Sequence, residues 1–120
     1  MKKIYFASFV LLMNLNVHAE KPLLQDYSEV MAKARAELDS SMQTGVLKEF
    51  GVKHKIKGEY TMDITIHEKG KVLTVFTVSN NSDNLKMQTG LKDFVRTLEF
   101  NFKMPKGKLY KFQYTFLFPG

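Results

Sequence analysis

The sequence predicts an α+β protein with an N-terminal helix, a β-hairpin, a second helix and a final aromatic strand, in which helices pack on one face of a small antiparallel sheet. Three observations predict this class. Apolar residues recur at helical spacing in two segments, they alternate with polar residues in others, and Gly, Pro and Asn separate the segments. A chain of 120 residues, 44% of them hydrophobic, has room for one such domain.

Residues 1–19 predict a secretory signal peptide. Lys2 and Lys3 precede a nearly unbroken apolar run, and Ala19 is the small residue before a polar start at Glu20. A retained membrane anchor is the alternative, but polar residues interrupt the run before it reaches the ~20 residues that span a bilayer. We expect cleavage after Ala19, no transmembrane span in the mature chain, and a periplasmic or secreted bacterial protein.

Residues 20–57 predict the N-terminal helix and a connection. The apolar residues of the helix recur at steps of three and four: Leu24, Tyr27, Val30, Met31, Ala34, Leu38 and Met42. A helix lying on a sheet is favoured over a coiled coil or a membrane-surface helix, because the heptad repeat is short. Residues 46–58 stay ambiguous: they fit a helix end followed by a short extended piece with alternating lysines, and we interpret them as a connection with a possible strand.

Residues 58–120 begin with a hairpin. Segment 59–67 alternates between apolar and polar residues, which is the pattern of a half-buried strand. The turn at 68–71 contains Gly70, which can adopt the positive φ that a short hairpin loop needs. Segment 72–78 is rich in β-branched residues and predicts the second strand.

The remaining elements are a helix and the final strand. Residues 80–83 offer N-cap side chains, and 85–98 has apolar residues at helical spacing despite Gly90. Pro105 and Gly107 break the chain before the last strand. The aromatic residues of that strand alternate with other side chains: Tyr110, Phe112, Tyr114, Phe116 and Phe118.

This order of elements predicts that the last strand lies at an edge of the sheet. A helix that crosses back after a hairpin brings the third strand most easily beside the first, in the order two-one-three. The open side of the strand can then accept an extended protein segment by strand addition. The predicted partner-binding residues are Tyr110, Lys111, Phe112, Gln113, Tyr114, Thr115 and Phe116. Alternatively, residues 46–57 or a second copy of the chain, as a homodimer, cover this edge.

Catalysis finds little support in the sequence. The chain has no Cys, and after the leader its only histidines are His54 and His67, so we expect no catalytic residue, no metal and no cofactor. Asp63 and His67 share a strand face but lie ~13 Å apart along it, beyond hydrogen-bond reach. No phosphate-binding or dinucleotide motif is present.

A basic loop precedes the last strand and contains Lys103, Lys106 and Lys108. Lysines interleaved with aromatic residues can bind single-stranded nucleic acid, but the export signal and a formal charge of +6 that includes two leader lysines argue against that partner. We expect these lysines to keep the loop soluble, to discourage edge-to-edge aggregation, or to meet an anionic surface such as lipid headgroups.

Several motifs follow one another over residues 58–119. In order they are Gly58 before Ile64 and Ile66, Gly70-Lys71-Val72, an Asn/Ser-rich bend at 79–83, Val95 to Phe100, and a Pro-x-Gly loop before Phe116-Leu117-Phe118-Pro119. Together they resemble the C-terminal domain of TonB-type periplasmic proteins, including gliding-motility variants. Leu98 stands where that family usually has Trp, and Phe102 where it often has Pro.

The resemblance implies the shape of this domain and a docking mode in which short peptide segments bind along the last strand. Energy-transducing members also carry a membrane anchor and a proline-rich spacer. We expect neither in this chain, so the resemblance does not imply energy transduction. The hypothesis is an exported, non-catalytic adaptor that binds a protein segment, for example within a cell-envelope complex. The alternative is a small secreted inhibitor or ligand-binding module of the cystatin-like helix-on-sheet type, with its functional surface near 68–71 and the N-terminal segment.

Overall fold

The computed structural model describes residues 20–80 and 84–119, so the predicted leader and most of the 79–83 bend lie outside the described residues. The elements in chain order are α1 (Tyr27–Thr44), α2 (Val46–His54), β1 (Gly58–His67), β2 (Val72–Asn80), α3 (Leu85–Arg96) and β3 (Leu109–Phe118). The α+β class, with helices on a small antiparallel sheet, is confirmed. The described residues contain one helix more than the sequence predicts.

Helix α1 begins at Tyr27 rather than at Leu24 because the residues before it bond elsewhere. The N–H of Leu24 donates to the carbonyl of Lys103 (2.9 Å), and the N–H of Lys103 donates to the carbonyl of Pro22 (2.9 Å). Asp26 occupies the N-cap position with an extended backbone. The buried residues of α1 belong to the predicted apolar stripe: Val30, Ala34 and Leu38.

Helix α2 corrects the ambiguous prediction for residues 46–58. The chain is helical over Val46–His54, so the strand alternative for this segment is wrong. Lys55 ends the helix in a left-handed conformation, with φ of 53°. The alternating lysines suggest a strand in sequence, but the buried residues are Leu47 and Gly51, and a spacing of four belongs to a helix.

The three strands of the described chain are antiparallel in the order β2-β1-β3, which confirms the predicted order. β1 is central and pairs with β3 without a register shift, from Gly58 opposite Phe118 to His67 opposite Leu109. β2 pairs with the other side of β1 through two register shifts. Gly70 in the turn between β1 and β2 has a φ of 80°, so its predicted positive φ is confirmed.

The helices cover one face of the sheet, and the strand residues on that face form the core. These buried residues are Tyr60, Met62, Ile64, Ile66, Val72, Val75, Phe112, Tyr114, Phe116 and Phe118. The connection between α3 and β3 adds Phe100, Phe102 and Met104. Asn84 caps α3 by accepting the N–H of Met87 (3.1 Å), so the cap comes one residue after the predicted segment 80–83. Among the helices described, none is both long and apolar enough to cross a membrane.

Candidate peptide-docking edge

Strand β3 forms one edge of the sheet. Within the described residues its only strand partner is β1, so no backbone ladder occupies its other side. The strand is 10 residues long, about 33 Å at 3.3 Å per residue. Residues 46–57, which could have covered this edge as a strand, lie in α2 and the turn after it.

The hydrogen bonds of β1 identify the residues of β3 that face outward. The N–H of His67 donates to the carbonyl of Lys71 (3.0 Å), so the backbone groups of His67 point toward β2 and away from β3. His67 lies opposite Leu109, and this pair is therefore a non-hydrogen-bonded pair. Such pairs alternate with hydrogen-bonded ones along an antiparallel ladder. The residues whose backbone groups point to the open edge are Leu109, Lys111, Gln113, Thr115 and Leu117.

Side-chain contacts on the solvent face of the sheet agree with this alternation. Side chains lie closest in non-hydrogen-bonded pairs. The hydroxyls of Thr61 and Thr115 are 2.9 Å apart, and the amide of Gln113 donates to the carboxylate of Asp63 at 3.1 Å. These bonds hold β3 against β1 beside the open part of the edge.

The predicted partner-binding residues of β3 divide into two sets. One set is exposed and directs its backbone groups outward: Lys111, Gln113 and Thr115. The other set is at most 8% exposed: Phe112, Tyr114 and Phe116. The backbone groups of this second set face β1, so these residues anchor the strand while the first set is available to a partner.

The start of α1 shortens the free edge. The hydroxyl of Tyr27 donates to the carbonyl of Lys111 (2.7 Å), and its ring meets Tyr110 edge to face, with centroids 5.2 Å apart. Half-buried Tyr110, the remaining predicted partner-binding residue, donates its hydroxyl to the carbonyl of Gln25 (3.3 Å). In sequence Tyr27 is only one residue of an apolar stripe, and nothing there indicates its bond to β3. The edge open to a partner therefore runs over Gln113–Leu117.

Tyr114 fixes the inner side of β3 to α1. Its hydroxyl donates to the carboxylate of Asp39 at 2.5 Å. Burial, and then the bond to the carboxylate, raise the pKa of Tyr114 well above its ordinary value of 10.0. The hydroxyl therefore keeps its proton beyond the pH at which an ordinary tyrosine ionises, and its bond to Asp39 holds the strand in place on the side away from the open edge.

A cavity of about 500 Å³ lies where the open edge ends. Its apolar lining comes from α1, α2, the connection between α2 and β1, and the end of β3: Met42, Gly51, Val52, Ile56, Leu117 and Phe118. Its polar lining includes Gln43, Lys48, Lys55 and Lys57, and no carboxylate among the described residues. Nothing in the sequence indicates this cavity, because its wall is the unpredicted helix α2.

A larger cavity, about 910 Å³, lies between α2 and the start of α3. Phe50 and Phe94 stack beside it with ring centroids 4.2 Å apart, and Gly90 contributes to its wall. It shares Ile56 with the smaller cavity, but no residue of β3 and none of the predicted site residues lines it.

The predicted basic loop is exposed at Lys103, Lys106 and Lys108. None of these side chains forms an ion pair with another described residue. Close by in sequence, the ammonium group of Lys21 bonds the carboxylate of Glu99 at 2.5 Å. That hydrogen bond, together with the charge of Lys21, lowers the pKa of Glu99. The loop lysines thus add positive charge before β3 that no described carboxylate neutralises in an ion pair.

The polar face of β1 has separate partners for its titratable residues. Asp63 accepts from Gln113, whereas Nδ1 of His67 accepts the N–H of Lys69 at 3.3 Å. Over the described ranges, no three His, Asp or Glu side chains form a group that could hold a metal ion.

No family model, no curated protein and no solved structure matches the chain. The resemblance to TonB-type C-terminal domains therefore stays a prediction. The open side of β3 is the structural feature that suggests a function.

Proposed function

We propose that this protein is an exported bacterial, non-catalytic adaptor of TonB-like shape that docks an extended segment of a partner protein along β3. One observation carries the proposal: the backbone groups of Gln113, Thr115 and Leu117 point outward and have no backbone partner among the described residues. An added strand supplies those partners in the way that β1 does on the other side.

The edge is favoured over the surfaces that a cystatin-like module would use. The N–H of Phe100 donates to the carbonyl of Gly70 (2.8 Å), and the N–H of Met104 donates to the carbonyl of Glu68 (2.8 Å). The turn between β1 and β2 is therefore covered by the protein's own backbone. The segment before α1 is likewise bonded to Lys103. The open side of β3 has no such cover.

The variant Gln113→Pro tests the proposal. Proline removes the outward N–H and places its ring at the edge, whereas the ladder to β1 uses the backbone groups of Phe112 and Tyr114. The probe is an array of synthetic extended peptides rich in β-branched residues. We expect the parent protein to bind members of the array and to gain amide-exchange protection at Thr115. Gln113→Pro should lose both while unfolding at nearly the same urea concentration.

Gln113→Thr is the matched control. It keeps the backbone N–H and removes only the side-chain bond to Asp63, so it should bind like the parent. Equal binding by Gln113→Pro and the parent, or sensitivity only to substitutions at 68–71, would place the site elsewhere and contradict the proposal.

A further inference from the structure

The cavity lined by Leu117 and Phe118 lies at the end of the open edge, so a strand docked on β3 reaches it. The free groups of Gln113 and Thr115 guide such a strand toward Leu117, and each added residue advances it about 3.3 Å. Side chains of an added strand alternate between the two faces of the sheet. One side chain at the end of the docked segment can thus enter the cavity, whose lining is mainly apolar. Burial of an apolar side chain there is favourable.

The charge around the edge is positive at both ends. Three lysines line the cavity: Lys48, Lys55 and Lys57. Lys108 and Lys111 lie at the start of β3, and none of these five side chains forms an ion pair with another described residue. Three carboxylates of described residues lie beside β3. Those of Asp39 and Asp63 accept hydrogen bonds from Tyr114 and Gln113, and half-buried Glu59 lies opposite Leu117, so the five lysines outnumber them. A docked segment with acidic residues complements this surface.

The same charges oppose a second copy of the chain as the occupant. Two β3 strands paired antiparallel about Tyr114 would place Lys111 of each copy opposite Leu117 of the other. The lysines at the start of one strand would then face the cavity lysines of its partner. Like charges so placed are destabilising.

We infer that the segment docked on β3 is an acidic peptide with one apolar anchor residue that fills the cavity at the end of the strand. This inference rests on the proposed strand addition. It adds the chemical class of the partner to the place where the partner binds.

The probes are synthetic extended peptides that share a Thr-Val alternation and one Leu anchor, and differ only in whether the flanking residues are Glu, Gln or Lys. We expect the Glu-flanked peptide to bind about tenfold more tightly than the Gln-flanked one at low salt, with the difference shrinking as salt is added. Replacing the Leu anchor with Ser should weaken binding by about tenfold. Isothermal titration calorimetry measures each affinity.

The triple variant Lys48→Gln, Lys55→Asn, Lys57→Gln removes the charge at the cavity, and Asn at position 55 tolerates the left-handed backbone found there. It should bind the Glu-flanked peptide about tenfold more weakly and the Gln-flanked peptide unchanged. The matched control is Lys33→Gln, Lys69→Gln, Lys86→Gln, which removes three exposed lysines from other surfaces. It should bind like the parent.

The possible failures of the two proposals are distinguishable. If all three peptides bind alike and Gln113→Pro abolishes their binding, strand addition stands and the acidic partner is wrong. If the Glu-flanked peptide binds without protecting Thr115 and tolerates Gln113→Pro, docking along the edge is wrong. If no peptide binds, both are wrong, and a dimer with protected Thr115 in sedimentation and exchange experiments would identify a second copy as the occupant.

Discussion

Gly70 has both a backbone and a packing constraint. Its φ is 80°, and a Cβ would lie 2.3 Å from the carbonyl oxygen of Phe102 and 2.8 Å from that of Phe100. We expect Gly70→Ala to lower the free energy of unfolding by about 2–4 kcal/mol, measured by urea denaturation. Gly107→Ala is the matched control, because its φ is 83° but no atom lies within 4 Å. Gly107→Ala should lower the free energy of unfolding by only about 1 kcal/mol. Equal losses for the two variants would show that the close contact with the two carbonyl oxygens has no effect on stability.

Tyr114 gives a prediction for the dependence of stability on pH. Tyrosine ionises near pH 10 in an unfolded chain, whereas the raised pKa keeps Tyr114 protonated in the folded state. The contribution of protonated Tyr114 to the free energy of unfolding is therefore complete below pH 10. It is lost as the pH rises above 10, by roughly 1.4 kcal/mol per pH unit. Tyr114→Phe should unfold more easily at about pH 8, where it lacks the bond to Asp39, by about 1–2 kcal/mol.

The comparison of slopes tests the cause of that dependence. The free energy of unfolding should fall less steeply for Tyr114→Phe than for the parent between about pH 10 and pH 11, because the variant has no ionising group at this position. Urea denaturation at each pH measures both slopes. Parallel slopes would mean that Tyr114 ionises in the folded state as readily as in the unfolded chain.

Substitution by alanine should change the free energy of unfolding in opposite directions at two helical glycines. Gly90 in α3 has no atom within 4 Å of a Cβ, so Gly90→Ala should raise the free energy of unfolding by about 0.5–1 kcal/mol through helix propensity. A Cβ on Gly51 in α2 would lie 2.7 Å from two ring carbons of Phe118. Gly51→Ala should therefore displace that buried ring and lower the free energy by about 1 kcal/mol, despite the same gain in propensity. Thermal and urea unfolding would contradict this account if both variants were stabilised.

Most of the elements that could be predicted are those whose own residues repeat with one period, whereas β2 is predicted by its β-branched residues. α1, β1, α3 and β3 each carry such a pattern over nine residues or more, and their bounds differ from the predictions by a few residues. α2 could not be predicted, because its buried residues are few and one of them is Gly51, which contacts Phe118 near the other end of the chain. Contacts between segments that are distant in sequence stabilise such a helix, and the spacing of its own residues does not indicate those contacts.

At the scale of the whole molecule, the sheet order and the edge position of β3 could be predicted from the order of elements alone. The candidate site could be predicted only in part. Alternation indicates which side chains of β3 face the core, but the outward backbone groups follow from the bond between His67 and Lys71. The cap from Tyr27 and the cavity beside Leu117 join segments that are distant in sequence.

The segment before α1 joins the start of the described chain to the connection before β3. Leu24 and Pro22 share two backbone hydrogen bonds with Lys103, each 2.9 Å long. A chain that begins at Gln25 keeps the N-cap Asp26 and the carbonyl that accepts from Tyr110, and it should lose about 1–3 kcal/mol of unfolding free energy relative to one that begins at Glu20. Lys21→Gln, which removes only the exposed ion pair with Glu99, should change stability little.

Peptide affinity, measured beside stability, distinguishes the structural role of the segment before α1 from a role in the docking site. The shortened chain keeps the cap from Tyr27 and the outward groups of Gln113, so its affinity for extended peptides should match that of the longer chain at temperatures where both are folded. Calorimetric titration beside urea denaturation measures the two quantities on the same samples. A shortened chain of unchanged stability would mean that the bonds to Lys103 add nothing to the fold. Lost affinity in a folded, shortened chain would mean that residues 20–24 belong to the docking surface, as the cystatin-like alternative requires.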